Sequence, residues 1–386
     1  MKFLLIASFP HSIYKFRGDL IKDLQKKGFE VHVAAPLLNI DEDDFDIVNL
    51  KKLNVQLHSY SLNRRGKEIF KDVSTLIELS RLISSISPQY VLAYTIKPVI
   101  YGMIASYFCR VPNRFAMITG LGIAFTDDNN KKSFSKIVNA LIKLLYKISL
   151  KCSSKIIFQN KDDRSLFKSL KIILKNSNTA IINGSGVNLK DYKETPLPKN
   201  LNFLFIGRFL SSKGLREFVE AAKIIKLTNP QIEFSVAGWT EDSEDSISKE
   251  ELFEWVEEKI INDLGYLDDV RPAIANASVF VLPSYREGTP RSVLEAMAMG
   301  RPVITSDAPG CRETVTNKFN GFLVPVGSTK EIVKAINFYI NNPDSVKEMG
   351  SHSLELVKEK YDVKIINNIM LSHMGINNKL NITEKL

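Results

Sequence analysis

Short apolar runs alternate with amphipathic helical patterns along most of the chain, and this alternation restricts the fold more than any other feature of the sequence. In the first half the apolar runs predict strands near residues 2–7, 30–36, 54–60, 90–95, 114–119, 155–160 and 179–183. Helical patterns fill the gaps and are clearest at 67–86 and 133–152. Buried strands separated by helices are typical of parallel sheets covered on both faces. The predicted fold class is therefore α/β.

The same alternation starts again after a polar segment that contains two prolines, DYKETPLPKN, at 191–200. The second half predicts strands at FLFIGRF, EFSVAG, IINDLG, VFVLPS, PVITSD and GFLVP. Only helical segments follow Pro325. A chain of 386 residues also exceeds the size at which single cores usually stop growing.

These observations predict two Rossmann-like parallel-sheet domains that face each other across a cleft. The expected boundaries are 1–190 for the first domain, 191–200 for the linker and 201–360 for the second domain. A helical tail at 361–386 should pack back towards the first domain. Ligands of such domains bind outside the carboxyl ends of the strands.

Composition argues against several classes of protein. The chain is 44% apolar and 25% charged, as expected of a globular protein, and no stretch reaches the 18 apolar residues of a membrane span. The start, MKFLLIASFP, has too short an apolar core for a signal peptide and predicts a buried strand. Neither the three cysteines, Cys109, Cys152 and Cys311, nor the five histidines have a metal-ligand spacing. We therefore predict a cytoplasmic protein with reduced thiols and no metal.

The net charge of +9 is divided unequally between the two halves. Residues 1–195 contain 30 Lys and Arg against 17 Asp and Glu, a net of +13, whereas residues 196–386 contain 22 against 26, a net of −4. This asymmetry indicates an anionic partner for the first domain. A nucleic-acid-binding protein would also be basic, but the sequence has no helix-turn-helix pattern and no basic-aromatic single-strand motif. No nucleic acid is therefore predicted as a partner.

The predicted strand FLFIGRF ends in Gly207 and Arg208, and Lys213 follows just before the next helix. Cations at the carboxyl end of a strand and beside a helix start are positioned to hold a diphosphate. The segment lacks both the Walker spacing of a phosphate-binding loop and the G-x-G-x-x-G of a dinucleotide fold. The motif therefore predicts neither a kinase nor a dehydrogenase.

The segment REGTPRSVLE places two acids, Glu287 and Glu295, on either side of a predicted helix start. With Thr289 as cap and Pro290 as first residue, the helix should span about 290–299. The helix dipole explains an acid near the start, but its effect has decayed at Glu295. A nucleoside diphosphate sugar has a matching order of groups, because its diphosphate lies between the ribose diol and the sugar hydroxyls. The two carboxylates would accept hydrogen bonds from these hydroxyls while the helix start binds the phosphates.

Together, FIGRFLSSKG, LPSYREGTPRSVLEAMAMGRPVITSDAPGCRE and NGFLVP resemble glycosyltransferase family 4, whose members are retaining enzymes of the GT-B architecture. The resemblance implies that Arg208 and Lys213 neutralise the donor diphosphate, while Glu287 contacts the transferred sugar. Glu295 would bind the ribose. The remaining implied donor contacts are Gly207, Gly288, Thr289, Pro290, Arg291 and Ser292, with the base near Tyr266 and Leu267. No metal or other cofactor is implied.

The first domain resembles a bacterial branch of that family that adds sugars to undecaprenyl diphosphate-linked acceptors, through LAYTIKPVIYG and RFAMITGLG. A nucleotide sugar, usually UDP-linked in this branch, and a lipid-linked glycan are then the expected substrates. The candidate acceptor contacts are His11 in the loop after the first strand, Lys97 and Thr119. Thr119 replaces a histidine found in many members, and SFPHSIYKFRG replaces their glycine-rich loop. Asn188 stands where the family commonly has Asp.

The segment 131–155 predicts a basic amphipathic helix. Lys143, Lys147, Lys151 and Lys155 are four apart, and Lys132 and Lys136 share their face. The opposite or adjoining side carries apolar residues, namely Phe134, Ile137, Leu141, Leu144, Leu145 and Ile148. Such a helix favours contact with an anionic membrane, through Lys136, Lys143, Lys147 and Lys151. The protein would then lie at the inner face of the cell membrane; the alternative is a solvated helix packed on its sheet.

Other functions remain open at this stage. The acidic run DEDDFD, at 41–46, contains the D-x-D pattern of metal-dependent transferases of another fold, but it lies away from the donor motifs and predicts a solvated surface. A nucleotide-sugar epimerase shares the two-domain plan and needs no acceptor. A sugar-nucleotide binder without catalytic activity also fits. Nucleotide release that depends on an acceptor would distinguish a transferase from both.

Overall fold

The computed structural model describes residues 1–37, 45–63, 69–120 and 136–376. The chain divides into two compact units, here called the first unit (Met1–Ser185 with Ile366–Leu386) and the second unit (Gly186–Ile365). Each unit contains one parallel sheet with helices between its strands. The predicted α/β class, with two Rossmann-like parallel-sheet domains and a helical carboxyl-terminal region, is confirmed.

The described residues of the first unit form seven parallel strands. They are β1 Lys2–Ile6, β2 Glu30–Ala35, β3 Gln56–Ser59, β4 Tyr90–Tyr94, β5 Asn113–Ile118, β6 Lys155–Phe158 and β7 Thr179–Ile181. The connecting helices are α1 Pro10–Lys26, α2 Phe45–Lys52, α3 Ile69–Ile86, α4 Ile96–Phe108, α5 Lys136–Lys151 and α6 Lys161–Ser169. The strand order is β3-β2-β1-β4-β5-β6-β7, so the direction of winding reverses between β1 and β4. Ligands bind at such a reversal in open α/β sheets.

The second unit contains six parallel strands in the order β10-β9-β8-β11-β12-β13. The strands are β8 Asn202–Arg208, β9 Glu233–Trp239, β10 Asn262–Asp263, β11 Val279–Leu282, β12 Val303–Ser306 and β13 Gly321–Val324. The helices from this point are α7 Leu215–Thr228, α8 Lys249–Glu257, α9 Arg271–Ala275, α10 Arg291–Ala298, α11 Thr329–Asn341, α12 Asp344–Lys360 and α13 Val363–His373. The predicted strand IINDLG is reduced to two residues. Within the described part of the chain no strand follows Val324, as predicted.

The last helix, α13, packs on the first unit. Three of its apolar residues, Ile366, Met370 and Leu371, are buried in the same cluster as Phe3 of β1, together with Met374 just after the helix. Lys155 Nζ also donates a hydrogen bond to the carbonyl oxygen of His373, at 2.8 Å. The predicted tail began at 361, but Tyr361 is buried in the core of the second unit. The crossing between units therefore occurs later, at Ile365–Ile366.

The segment predicted as a linker, 191–200, belongs to the second unit. Arg301, whose side chain is fully buried, fixes it there. The guanidinium donates to the carbonyl oxygens of Thr195 at 2.8 Å and Pro196 at 3.0 Å, and also to Met299 at 2.7 Å. Burial lowers the pKa of Arg301 to about 10, which still leaves it charged at neutral pH. The unit boundary accordingly lies earlier in the chain, at Ser185–Gly186.

The basic helix, α5, ends earlier than the predicted basic segment. It ends at Lys151, so Lys155 belongs to strand β6 instead. The helix buries Tyr146 and Leu150, whereas Leu144 and Ile148, two of the apolar residues predicted to lie opposite or beside the lysines, are 52% and 43% exposed. The apolar side of the helix is therefore only partly covered by the first unit.

Some of the predicted features lie outside the described residues. Lys132 is among them, as are the first four residues of DEDDFD. Lys136 begins α5, but its side chain is likewise outside the described part. Among the helices that are described, none has both the length and the apolar character needed to cross a bilayer.

Candidate active site

The turn after β8 carries Lys213 to the end of β11. Residues Ser211–Lys213 form a single 3₁₀ turn, and Gly214 follows with φ +74°, before α7 begins. A Cβ at Gly214 would lie 2.2 Å from the carbonyl oxygen of Pro283, which follows β11. Because only glycine combines this dihedral with such a close approach, Gly214 is required to hold Lys213 at this position.

Lys213 is in direct contact with Glu287. Lys213 Nζ donates to Glu287 Oε1, and the two side chains are only 17% and 13% exposed. The loop at 309–310 fixes the backbone of Glu287, since its N–H donates to the Pro309 carbonyl oxygen at 2.9 Å. At Gly310, φ is +83° and a Cβ would lie 2.2 Å from the Glu287 carbonyl oxygen. Two of the three predicted catalytic residues are therefore brought together on a fixed backbone.

Arg208, the third predicted catalytic residue, ends β8 and pairs with Glu241. Its Nη1 donates to the Glu241 carboxylate at 3.3 Å and 3.4 Å. The side chain of Arg208 is 41% exposed, whereas that of Glu241 is 16% exposed. Sequence analysis missed Glu241. The acidic run TEDSED after strand EFSVAGW was a usable indication, because parallel strands end at the same edge of a sheet.

Helix α10 begins one residue later than predicted. Its first residue is Arg291, and Pro290 is the cap, with an extended backbone (ψ 112°) and no side-chain cap hydrogen bond. The prediction of Thr289 as cap and Pro290 as first helical residue is therefore wrong. Ser292 Oγ donates to the Ile206 carbonyl oxygen at 3.1 Å, which joins the helix start to β8 beside Gly207.

Glu295 is paired within its own helix. Arg291 Nε lies 2.9 Å from Glu295 Oε1, and both side chains are mostly buried, at 15% and 12% exposure. Sequence analysis named Arg291 as a donor contact and did not predict this ion pair, although a spacing of four residues is the usual one for helical ion pairs. Burial raises the pKa of the Tyr192 hydroxyl, and the nearby Glu295 carboxylate raises it further. Tyr192 is therefore a neutral neighbour of this acid.

Tyr266 and Leu267 follow the short strand β10. The Tyr266 ring is 47% exposed and contacts Trp239 edge to face, with ring centroids 5.5 Å apart. Trp239 ends β9 and is paired in register with Arg208. Leu267 packs partly against the core. The predicted base contact is therefore one half of an exposed aromatic pair beside the candidate diphosphate site, and Trp239 was missed by sequence analysis.

The described charges of this site are arranged in pairs. Arg208, Lys213 and Arg291 each contact a carboxylate of the same unit. A bound diphosphate would therefore have to join or exchange with these ion pairs. Within the described ranges, no group of three or more His, Cys, Asp or Glu side chains is arranged to hold a metal ion.

The candidate acceptor residues lie after three neighbouring strands of the first unit. His11 follows β1, in the first turn of α1 and not in a loop as predicted. Thr119 directly follows β5. Lys97, in the first turn of α4 after β4, donates to Asp72 Oδ1 and to the Asn63 carbonyl oxygen, both at 2.7 Å. Because β1, β4 and β5 are adjacent, the three residues share one edge of the sheet.

Two parallel-sheet units with this set of donor motifs define a glycosyltransferase of the GT-B architecture. Residues 188–355 match the family model described as Glycosyl transferases group 1, and residues 3–160 match that of Glycosyl transferase 4-like. Each unit therefore matches a glycosyltransferase family model, which confirms the resemblance identified from the motifs.

Two curated relatives and one solved structure are similar over most of the chain. N,N'-diacetylbacillosaminyl-diphospho-undecaprenol alpha-1,3-N-acetylgalactosaminyltransferase of Campylobacter jejuni is 28% identical over 86% of this chain and 87% of the relative. UDP-Gal:alpha-D-GlcNAc-diphosphoundecaprenol alpha-1,3-galactosyltransferase of Escherichia coli is 28% identical over 70% of this chain and 71% of the relative. The structure of Anabaena HepE in complex with UDP-glucose matches with a TM-score of 0.77 and 18% sequence identity. The match covers 97% of this chain and 99% of the HepE chain.

Proposed function

We propose that this glycosyltransferase moves a hexose or N-acetylhexosamine, with retention of configuration, from a UDP-sugar to a lipid-linked glycan. The product would serve in the assembly of a surface polysaccharide or a glycoprotein glycan. The observation that carries the proposal is the contact between Lys213 and Glu287 at the strand edge where β8 ends in Arg208. The names of both curated relatives, which act on diphospho-undecaprenol-linked sugars, support the choice of acceptor.

In the proposed donor complex, Arg208 and Lys213 bind the diphosphate. Breaking the anomeric bond places negative charge on the departing diphosphate, and fixed cations directed at developing charge are usually the largest catalytic contribution. Backbone N–H groups at the start of α10 add to this stabilisation. These groups replace the metal ion that other transferases use.

The two acids of the REGTPRSVLE segment, Glu287 and Glu295, bind opposite ends of the nucleotide sugar. Glu287 orients the hexose through its hydroxyls, and Glu295 binds the ribose diol. The backbone of 288–292 lines the sugar and phosphates, while the base lies beside Tyr266 and Leu267. Gly207 allows the chain to approach the diphosphate closely. The end of β8, the start of α10 and the contact between Lys213 and Glu287, all in the second unit, support these roles.

The acceptor hydroxyl attacks the face of the sugar that the leaving group vacates. A phosphate oxygen of the donor accepts the hydroxyl proton, so no side chain has to act as the base. This mechanism is compatible with Thr119 at a position where many relatives have a histidine. His11, Lys97 and Thr119 are the proposed acceptor contacts in the first unit.

A panel of sugar nucleotides, assayed with a short prenyl diphosphate-linked N-acetylhexosamine, tests the function. We expect acceptor-dependent release of UDP from one donor and an α-linked product by NMR. Interconversion of sugar nucleotides without an acceptor would indicate an epimerase instead. Binding of UDP without transfer to any acceptor would indicate a binder.

We also propose that α5 contacts an anionic membrane at the inner face of the cell membrane. The helix exposes Leu144 and Ile148 next to Lys143, Lys147 and Lys151. Apolar side chains between lysines are typical of helices that lie in the lipid interface. This arrangement would keep the first unit close to a lipid-linked acceptor.

Replacing Lys143, Lys147 and Lys151 together with glutamine should weaken binding to anionic vesicles by about 100-fold, since each lysine near such a surface contributes about 1 kcal/mol. Sedimentation with vesicles containing phosphatidylglycerol measures the effect, and salt should release the unmodified protein. The matched control replaces three exposed lysines of the second unit, Lys330, Lys358 and Lys360. Equal sedimentation with anionic and neutral vesicles would contradict the membrane proposal.

A further inference from the structure

Glu241 is the partner of Arg208, yet it is not among the residues that the donor motifs predict. The other two acids paired at this edge, Glu287 and Glu295, have proposed contacts with donor hydroxyls. Glu241 faces Arg208, a cation that is proposed to bind the diphosphate. The Glu241 carboxylate and the diphosphate are both negative, so they repel each other. The carboxylate therefore competes with the donor for the same guanidinium.

The loop that carries Glu241 is fixed against the donor-binding turn. The Glu241 N–H donates to Ser246 Oγ at 3.2 Å, and Ser246 forms an antiparallel bridge with Leu210. The backbone N–H of Ile247 donates to the carbonyl oxygen of Phe209 at 2.9 Å. The acid is thus held next to β8 by backbone contacts that do not depend on Arg208.

A second acid of the same loop contacts the segment that carries Lys213. Asp245 Oδ2 accepts from the Ser212 hydroxyl, and the Asp245 carbonyl oxygen accepts the N–H of Ser211 at 2.8 Å. One loop therefore contacts both cation-bearing segments of the candidate diphosphate site.

The difference in exposure decides which partner moves. Glu241 is 16% exposed and its loop is fixed, whereas Arg208 is 41% exposed at the end of a strand. A long, half-exposed arginine changes rotamer at lower cost than a fixed loop. The guanidinium therefore moves between the two anions.

We propose that Glu241 is a positioning residue that acts through Arg208: it holds the guanidinium in the empty site and recaptures it as the nucleotide leaves. Glu241 thereby weakens nucleotide binding and speeds release of the nucleoside diphosphate. This inference rests on the proposed function, because it takes the diphosphate as the ligand of Arg208.

The test is UDP binding to Glu241→Gln, measured by titration calorimetry and by stopped-flow dissociation. Removing an ion pair of this exposure should tighten UDP binding by about fivefold, with slower dissociation. A merely structural role would weaken binding instead. The matched control is Glu244→Gln, which removes the same charge from an exposed position in the same loop and should change the Kd less than twofold.

A double substitution tests whether Glu241 acts through Arg208. In an Arg208→Ala background, Glu241→Gln should no longer tighten UDP binding, because the guanidinium is absent. Unchanged or weaker UDP binding by Glu241→Gln, or a gain that persists without Arg208, would overturn the inference while leaving the donor site in place. If the unmodified protein binds neither UDP nor GDP, both the proposed function and this inference are wrong.

Discussion

Lys213→Ala should lower the rate of sugar transfer by about 100- to 1,000-fold, the usual effect of removing one fixed donor aimed at developing charge. Lys213 is held by the SKG turn and lies against Glu287, so its ammonium group is fixed beside the proposed sugar contact. Glu287→Ala should abolish transfer as well, because the sugar then loses the carboxylate that orients it. Steady-state kinetics with saturating donor and a prenyl diphosphate-linked acceptor measures both effects.

The control for Lys213 is Lys334→Ala. Lys334 also pairs with a glutamate, Glu331, at 2.6 Å, but its side chain is 60% exposed on helix α11. This variant should retain the activity of the unmodified protein. Thermal denaturation should show that all three variants remain folded. Normal turnover by either Lys213→Ala or Glu287→Ala would refute the assignment of the donor site.

Gly310→Ala should lower kcat by about 100-fold, because a displacement of about 1 Å at a reacting group can have an effect of this size. The new Cβ would lie 2.2 Å from the carbonyl oxygen of Glu287 and 2.6 Å from that of Gly288. Either residue 310 or the segment that carries Glu287 must therefore shift, which disturbs the position of the Glu287 carboxylate relative to Lys213. Comparing kcat with the dissociation constant of UDP separates this effect from loss of nucleotide binding, which should change much less.

Gly28→Ala is the matched control for Gly310→Ala. Gly28 has nearly the same dihedral, φ +80° against +83°, but a Cβ there would meet nothing within 4 Å. Both variants carry the strain of an alanine at positive φ, while Gly310→Ala adds a collision with the backbone. Similar activity of the two variants would show that the contact between 310 and 287 does not position the acid.

Most residues of the candidate donor site could be proposed from the sequence because its motifs are local. Arg208 and Lys213 lie five residues apart on one strand and its following turn, and Glu287 and Glu295 flank one helix. The periodicity of apolar residues also predicted most strands, since buried parallel strands are nearly continuous apolar runs. The order of the strands in the sheets could not be obtained from these runs, because it depends on the side of the sheet edge to which each connecting helix returns the chain.

The residues that the sequence did not predict are those whose contacts depend on loop paths. Glu241 reaches Arg208 because the loop at 239–247 runs back along the end of β8, and no periodic pattern encodes such a path. The cap of α10 was assigned to Thr289 from residue preference, but the extended backbone of Pro290 gave that position to the proline. In α5, periodicity predicted an apolar face yet did not show which part of it would be covered.

The return of α13 to the first unit has a consequence for how the protein is made. A ribosome completes β1 to β7 before it begins the second unit, and it delivers Ile366–Ile376 only after the second unit. Until then, Phe3, Leu5 and their neighbours lack an apolar cover that belongs to their own cluster. The second unit is continuous in sequence, so it can close while the older half of the nascent chain is still incomplete. A stop codon near position 365 would therefore damage the half that was translated first.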